Sequence, residues 1–383
     1  MKRILIAIFL AVIVSGCVGQ DAETPETTTE DRFEVVEVVE GLEAPWGVEF
    51  LSEDEALITE SSGTLQYVNT TSGEKTSIEG VPEVSDMGQG GLLDVAHDDG
   101  YVYLTYSAVE DEGTVTEIGR GLLDFDGEEI TDFEVLHSVR PVEEDTVHYG
   151  SRVVLEGDYV YFTSGDRGEK DFGPDHISQD ASNTVGATLR LYRNGTEPSS
   201  NPFYGDDLFD DAVYSYGHRN AQGMAIHPDT GEIWQSEHGE EDGDEINVIE
   251  EGGNYGWPVA HTGCEYGTST PVGDSPFEMD EVVDPVFHWE CGSGGFPPAG
   301  ITFYEGEELP EFQGDLFVAG LATQSVARFK VEGEVTLEEK LLEDRSQRIR
   351  DIESSPDGGL YVLPDGGEVS LLNLENSSEQ SDN

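Results

Sequence analysis

The sequence predicts an all-β fold, a six-bladed β-propeller, from three observations. Six stretches, starting near residues 46, 91, 151, 222, 299 and 349, each read as strand, acidic or glycine-rich turn, and strand. Their strand segments are short, alternate in polarity and are rich in Val, Ile, Tyr and Phe. No segment keeps a helical period over three turns. A ring of six units also explains how residues 33–375 can form one domain larger than a single ordinary core.

Both ends of the chain are expected to lie outside the propeller. Lys2 and Arg3 precede an apolar run and then Cys17, which is the layout of a signal peptide followed by a lipidated cysteine. An ordinary secretory signal is the alternative. We therefore expect a secreted protein that is held at the outer face of the cell membrane only through a lipid anchor. The predicted segments are a signal peptide (1–16), a lipid-anchored flexible tether (17–32), the propeller (33–375) and a disordered tail (376–383).

The charge of the chain limits its partners. It carries 82 acidic and 18 basic residues, with a formal net charge of −64, and has no two adjacent Lys or Arg residues after Arg3. Nucleic acid and anionic lipid surfaces are therefore excluded as expected partners. Because apolar alternation persists despite this charge, we expect a folded protein of a salt-loving organism. Molar salt would screen its carboxylates to within about 3 Å, and low salt would loosen the fold.

Two cysteines remain after Cys17, namely Cys264 and Cys291. Outside the cytoplasm an even pair predicts a disulfide, and two buried free thiols are the alternative.

One histidine and one aspartate stand at neighbouring strand ends in the stretch DTVHYGSRVVLEGDYVYFTSGDRG. His148 precedes one predicted strand and Asp166 follows the next. Histidine can accept a proton near neutral pH, and an aspartate on its other ring nitrogen would fix the tautomer and stabilise the imidazolium. This pattern predicts a general base and its support. The alternative is a histidine packed in a loop with a surface aspartate nearby.

Three arginines of this acidic chain fall where the mouth of the central channel is expected: Arg219, Arg348 and Arg350. Guanidinium groups bind carboxylates in a bidentate manner, so the cluster indicates an anionic ligand with more than one carboxylate. Pairing with the abundant Asp and Glu is the alternative.

An acidic cluster lies in the stretch SEHGEEDGDEIN. Its carboxylates would suit a hard cation, although the spacing does not match an EF-hand loop. In so acidic a protein a solvated surface is the favoured alternative. The cluster contains Glu237, Asp242, Asp244 and Glu245.

Four motifs occur in a fixed order: GHRNAQG from residue 217, SEHGEEDGDEIN from 236, GGNYGWP from 252 and RIRDI from 348. Together they resemble the soluble quinoprotein glucose dehydrogenases and the aldose sugar dehydrogenases that use pyrroloquinoline quinone (PQQ). The resemblance spans nearly the whole mature domain. It implies a six-bladed propeller that oxidises the anomeric carbon of an aldose sugar to a lactone and passes electrons to an external acceptor. We expect a monomer or dimer.

The resemblance also implies residue roles. Catalysis is assigned to His148 as base, Asp166 as its support and Arg219. PQQ binding is assigned to Gln89, Arg219, Asn220, Tyr266, Arg348 and Arg350. One calcium is assigned to Glu245 and Tyr255, the tyrosine through its backbone carbonyl, and a second, which clamps the cofactor, is assigned to the backbone oxygens of Gly239 and Glu240. One departure is that Ala322 or Thr323 stands where the glucose dehydrogenases carry a lysine.

Three other functional classes remain open from the sequence. One is a non-catalytic, ligand-binding, calcium-binding propeller, which the missing lysine favours. A calcium-dependent hydrolase would hold its ion deep in the central channel. A purely adhesive lipoprotein would not explain the three arginines.

Overall fold

The structure, a computed structural model, describes residues 33–110, 113–356 and 358–376. These residues form 24 β-strands and four short 3-10 helices (177–179, 276–278, 310–312 and 343–345). Among them, no helix is long and apolar enough to cross a membrane. The predicted signal peptide, Cys17 and the tether lie outside the described residues, as does the tail from residue 377 onward.

The strands form six four-stranded antiparallel sheets. The first described strand is β1 (Phe33–Glu43). Blade 1 contains β2 (Pro45–Phe50), β3 (Glu55–Glu60), β4 (Thr64–Asn69) and β5 (Lys75–Ile78). Blade 2 contains β6 (Leu92–Asp98), β7 (Tyr101–Glu110), β8 (Gly113–Asp124) and β9 (Glu129–Ser138). Blade 3 contains β10 (Val153–Glu156), β11 (Tyr159–Ser164), β12 (Ala187–Tyr192) and β13 (Val213–Tyr216).

The remaining blades follow the same order. Blade 4 contains β14 (Ala221–Ile226), β15 (Ile233–Glu237), β16 (Glu245–Val248) and β17 (Phe287–His288). Blade 5 contains β18 (Pro298–Phe303), β19 (Leu316–Gly320), β20 (Ser325–Glu332) and β21 (Glu334–Leu341). Blade 6 contains β22 (Ile349–Ser354), β23 (Leu360–Pro364), β24 (Glu368–Asn376) and, as its outer strand, β1. The six-bladed propeller is confirmed.

The two ends of the described chain close the ring. β1 pairs antiparallel with β24, from Phe33 opposite Asn376 to Glu43 opposite Glu368. Asn376, the first residue of the predicted tail, is thus the last residue of β24. Its side-chain amide also donates to the Glu308 carbonyl oxygen at 3.0 Å. Closure through β1 joins the first blade to the last without leaving β24 as an open sheet edge.

The first strand of each blade lies innermost, because β2, β6, β10, β14, β18 and β22 each contact the first strands of both neighbouring blades. Six apolar clusters lie between neighbouring blades, one at each junction. Phe317 of β19 and Val362 of β23, for example, share the cluster between blades 5 and 6 and are fully buried. Truncating such a phenylalanine to alanine would cost about 3–5 kcal/mol. This packing fixes the blades relative to one another, and with them the starting points of the loops that enter the inner strands.

Candidate active site

Loops from blades 3, 4 and 6 meet at one mouth of the central channel. The Gly150 N–H donates to Asn220 Oδ1 at 3.1 Å, and the Asp166 N–H donates to the Arg219 carbonyl oxygen at 2.7 Å. These bonds tie the loop before β10 and the loop after β11 to the loop that enters β14. Across the mouth, Arg350 Nη1 of β22 donates to Gln222 Oε1 at 2.8 Å. The structure therefore gathers most of the predicted site residues into one neighbourhood.

His148 and Asp166 are in direct contact. Neither lies in a strand, since His148 precedes β10 by five residues and Asp166 follows β11 by two. His148 Nδ1 is 2.7 Å from Asp166 Oδ1, and the Trp257 Nε1–H donates to Asp166 Oδ2 at 2.8 Å. An ionised carboxylate only accepts, so a neutral His148 carries its proton on Nδ1. Its Nε2 is then the basic nitrogen, and it has no hydrogen-bond partner among the described residues.

The charge of Asp166 is retained despite its burial. Burial alone would raise its pKa, but the hydrogen bond and charge of His148, the charge of Arg219 and the Gly168 N–H together lower the pKa below its usual value. A carboxylate that stays ionised beside the imidazole stabilises the imidazolium that forms when Nε2 takes a proton. The His148 side chain keeps 14% of its surface exposed, so Nε2 remains accessible to a ligand.

The backbone of His148 is held in an uncommon conformation. Its φ is 50°, in the left-handed region that non-glycine residues seldom adopt. Gln89 Oε1 accepts from the His148 N–H at 2.8 Å, and Gln89 is therefore a support of the histidine. Gly165 packs against the same turn, where an added Cβ would lie 2.1 Å from the His148 carbonyl oxygen. Gly165, the first glycine of the stretch SGDRG (164–168), therefore leaves the space that the His148 backbone occupies.

Arg219 is 3% exposed and lies 5.2 Å from the Trp257 ring centroid. Its Nη2 donates to Glu240 Oε2 at 2.8 Å, and its Nη1 donates weakly to the His238 carbonyl oxygen at 3.4 Å. Its Nε is buried and has no partner among the described residues. A guanidinium with a spare buried donor suits an additional acceptor at this mouth.

Arg348 and Arg350 share one carboxylate. Arg348 Nε donates to Asp365 Oδ2 at 2.6 Å, and Arg350 Nη2 lies 3.3 Å from Asp365 Oδ1. Burial would raise the pKa of Asp365, but the two arginines lower it overall. Pairing with acidic residues, the alternative interpretation of these arginines, is therefore present. This pairing leaves two guanidinium groups on one carboxylate. Arg350 Nε, like Arg219 Nε, is a buried donor without a partner in the described part of the chain.

The predicted disulfide is confirmed. Cys264 and Cys291 are bonded, with their Cα atoms 5.5 Å apart. The bond ties the long connection between β16 and β17 to the residues that follow β17. Tyr266 lies on this connection, is 61% exposed, and has its ring centroid 5.4 Å from Lys170 Nζ.

The model of the glucose / sorbosone dehydrogenase family matches residues 42–373. The chain belongs to this family. Its predicted resemblance to the PQQ-dependent aldose sugar dehydrogenases is therefore confirmed at family level.

Individual family members agree with this assignment over nearly their whole length. Aldose sugar dehydrogenase YliI of Escherichia coli is 35% identical over 350 residues, covering 88% of this chain and 92% of that protein. The crystal structure of the soluble E. coli aldose sugar dehydrogenase in the apo-form superimposes with a TM-score of 0.84 at 33% identity, covering 90% and 99% of the two chains. The PQQ-bound aldose sugar dehydrogenase of Streptomyces coelicolor gives a TM-score of 0.72 at 28% identity, covering 90% and 98%.

The positions that the family resemblance assigns to calcium do not form a side-chain cluster. Glu245 Oε1 accepts from Thr262 Oγ1 at 3.3 Å, whereas the Tyr255 hydroxyl donates to the Val248 carbonyl oxygen at 2.6 Å. Among the described residues, no group of three or more His, Cys, Asp or Glu could hold a metal ion. Calcium at Glu245 with the Tyr255 backbone carbonyl, and calcium at the backbone oxygens of Gly239 and Glu240, both stay predictions.

The carboxylates of SEHGEEDGDEIN brace loops. Glu237 Oε2 lies 2.8 Å from His218 Nδ1, and its other oxygen accepts from the Arg219 N–H. Asp244 accepts from the N–H groups of Gly239 at 3.0 Å and Phe296 at 2.7 Å. Among the described residues, these carboxylates do not form a side-chain cation site. The alternative, a solvated surface, is wrong for Glu237, Asp244 and Glu245, which are buried, whereas Asp242 is partly exposed.

A guanidinium lies between the inner strands. Arg152 Nη1 is 3.1 Å from Asp94 Oδ1 and 2.9 Å from Asp351 Oδ2, and all three residues are buried. Beyond it, towards the far ends of the inner strands, lies a cavity of about 610 Å³ whose lining includes Glu49 and Glu353. Asp94 and Asp351, two of the acids at this depth, thus pair with Arg152, and no group of three or more His, Cys, Asp or Glu in the described chain could hold an ion there, which disfavours the hydrolase alternative.

Sequence reasoning missed three contributors to the mouth. The Trp257 indole binds Asp166, the Glu240 side chain binds Arg219, and Lys170 Nζ lies 2.6 Å and 2.7 Å from the two oxygens of Glu240. Trp257 stood in a quoted motif, and Lys170 follows Asp166 by four residues in a chain with five lysines. Those were the available signals, but neither gives a distance.

Proposed function

We propose that this chain is an extracytoplasmic PQQ-dependent aldose dehydrogenase that oxidises the anomeric carbon of a sugar to a lactone, with His148 as the general base. The observation that carries the proposal is the bond from His148 Nδ1 to the buried, ionised Asp166, which leaves Nε2 basic at the mouth. The family assignment and the PQQ-bound relative from S. coelicolor support the choice of reaction and cofactor.

The residues at the mouth fit an anionic quinone. Arg348 and Arg350 exceed the charge of the carboxylate that they share, and Arg350 and Arg219 each keep a buried Nε–H without a partner in the described chain. Carboxylates accept such donors in a bidentate manner. Tyr266 and Asn220 border the same mouth. Calcium, which we propose at the backbone oxygens of Gly239 and Glu240, would add positive charge beside these donors.

The protein's part in the reaction follows from the same contacts. PQQ, when bound, supplies a quinone that accepts a hydride from the anomeric carbon. His148 Nε2 takes the proton of the anomeric hydroxyl as the hydride leaves, while Nδ1–H stays bonded to Asp166. Asp166 stabilises the resulting imidazolium, and Trp257 fixes the carboxylate's orientation. Arg219, buried against Trp257 with a spare donor, would stabilise the negative charge that develops on a quinone held at this mouth.

Reconstitution tests this proposal directly. The purified domain in molar salt, with PQQ and calcium, should reduce an artificial dye when given members of a panel of aldoses. Reduction that requires both quinone and sugar would support the proposal. Quinone binding without turnover on any aldose would favour a ligand-binding propeller, the alternative suggested by Ala322 and Thr323 in place of a lysine.

Attachment to the membrane is a second part of the proposal. Lipid on Cys17 would hold the propeller by the tether at the outer membrane face, within reach of a membrane-associated electron acceptor. Cys17→Ser should move the protein from the membrane fraction to the medium. An unchanged distribution would contradict the anchor and leave the catalytic proposal intact.

A further inference from the structure

Lys170 lies beside the catalytic pair without belonging to it. It follows Asp166 by four residues, and its Nζ contacts both carboxylate oxygens of Glu240 at 2.6 Å and 2.7 Å. Glu240 is itself buried and already paired with Arg219 at 2.8 Å. Two cations therefore share the Glu240 carboxylate at the mouth.

The ammonium group is placed to bind something else. Its side chain is 55% exposed, and an ammonium has three donors, so two contacts to Glu240 leave at least one donor free. Nζ lies 5.4 Å from the ring centroids of Phe172 and Tyr266, which flank it with apolar surface. Flanking rings reduce the access of water and strengthen an ionic contact made there.

The surroundings connect this donor to the reaction site. Phe172 packs edge-on against Trp257 with their centroids 5.5 Å apart, and the Trp257 indole binds Asp166. The Phe172–Trp257 pair thus links Lys170 to the Asp166 carboxylate that supports His148. Only 18 basic residues oppose 82 acidic ones in this chain, so a half-exposed ammonium here is unlike most of the surface.

We propose that Lys170 binds a carboxylate of the ligand at this mouth. The inference rests on the proposed function and names a binding residue for it. The carboxylate would come either from PQQ or from the sugar, in which case acidic aldoses such as hexuronic acids are preferred substrates. In both cases the ligand carboxylate takes the free donor of Lys170, while Glu240 keeps the ammonium in position.

The first arm of the test measures cofactor binding without turnover. Titration of PQQ, with calcium fixed in molar salt and no sugar, should quench intrinsic tryptophan fluorescence because Trp257 lies in the site. If PQQ supplies the carboxylate, Lys170→Met should raise the dissociation constant of PQQ about tenfold, and Lys170→Arg should restore most of the affinity. Lys330→Met, at an exposed lysine of β20, is the matched control and should bind as the wild type does.

The second arm compares glucuronate with glucose at saturating PQQ. If the sugar supplies the carboxylate, Lys170→Met should lower kcat/KM for glucuronate about tenfold and leave that for glucose unchanged. Thermal midpoints of all variants verify that they are folded. A wild type that binds no quinone would contradict the proposed function itself. If the wild type binds PQQ and Lys170→Met matches it in both arms, this inference is overturned and the proposed function stands.

Discussion

The imidazole of His148 and the carboxylate of Asp166 meet at 2.7 Å across the ends of two loops of blade 3, and the carboxylate's other oxygen is held by Trp257. This relationship orders the site, because it sets the tautomer of the histidine and keeps a buried negative charge beside it. Arg219 of blade 4 and Arg348 and Arg350 of blade 6 lie around the same mouth.

Removing Arg350 should weaken cofactor binding. Arg350→Ala deletes the unpaired buried Nε donor and one of the two cations on Asp365, so we expect PQQ affinity to fall about 10- to 100-fold. Fluorescence titration measures this without turnover. Arg345→Ala, which loses contacts to Glu37 on the outer strand at 3.4 Å and to Gln347 at 3.3 Å, is the control. Equal affinities of the two variants would mean that Arg350 serves only as a salt-bridge partner.

Glu49 should make stability depend on pH. Burial in the channel raises its pKa from 4.5 to about 8, opposed by a hydrogen bond from the His97 N–H and reinforced by the charges of Asp94 and Asp351. The folded state then holds a proton that the unfolded chain has lost. Glu49's contribution to stability is fully present below pH 4.5 and declines as pH rises towards about 8.

Glu49→Gln removes that dependence while keeping the carbonyl that accepts from His97. Its thermal midpoint should therefore gain on the wild type as pH increases from about 5 to about 8. Glu334→Gln, at an exposed position of β21, is the control and should show no such gain. A Glu49→Gln difference that is constant across this range would contradict the assignment.

The disulfide should stabilise the domain and order the loop that carries Tyr266. Cys264 and Cys291 are 27 residues apart, and losing a bond that closes a loop of this size costs about 2–4 kcal/mol. The variant with both cysteines changed to serine should unfold at lower temperature and bind PQQ more weakly. If the double-serine variant and the wild type unfold at the same midpoint, the loop is held by its other contacts.

The acidic surface should require salt. With a net charge of −64, mutual repulsion of carboxylates is screened to within about 3 Å at 1 M salt and to only about 10 Å at 0.1 M. We expect the unfolding midpoint to rise steeply with sodium chloride, as followed by circular dichroism. A midpoint that is the same at the two concentrations would contradict a salt-adapted fold.

The sequence was informative where structure is local. Strand alternation and Asp-Gly turns identified the six units, because each pair of strands in a unit is close in sequence. The pairing of β1 with β24 was not foreseen, since it joins Phe33 to Asn376 and neither strand's pattern names its partner. The family resemblance, with its motifs, singled out His148, Asp166 and the arginines ahead of the structure.

The rest of the site depends on contacts that leave no periodic signal. Lys170 and Glu240 belong to loops of different blades and look like ordinary charged residues in an acidic chain. The side chain of Gln89 supports His148, whereas the resemblance assigned it only to the cofactor. Likewise, Glu237 and Asp244 are carboxylates of the kind that bind a cation, but their oxygens already accept hydrogen bonds from neighbouring backbone N–H groups.

The role of His148 is tested most directly by His148→Gln, assayed for PQQ binding and for sugar oxidation in molar salt with calcium. Glutamine cannot take the anomeric proton, so we predict a loss of at least about 100-fold in kcat with quinone affinity close to that of the wild type. A variant that binds PQQ and oxidises aldoses at a near wild-type rate would contradict the assignment of His148 as the base.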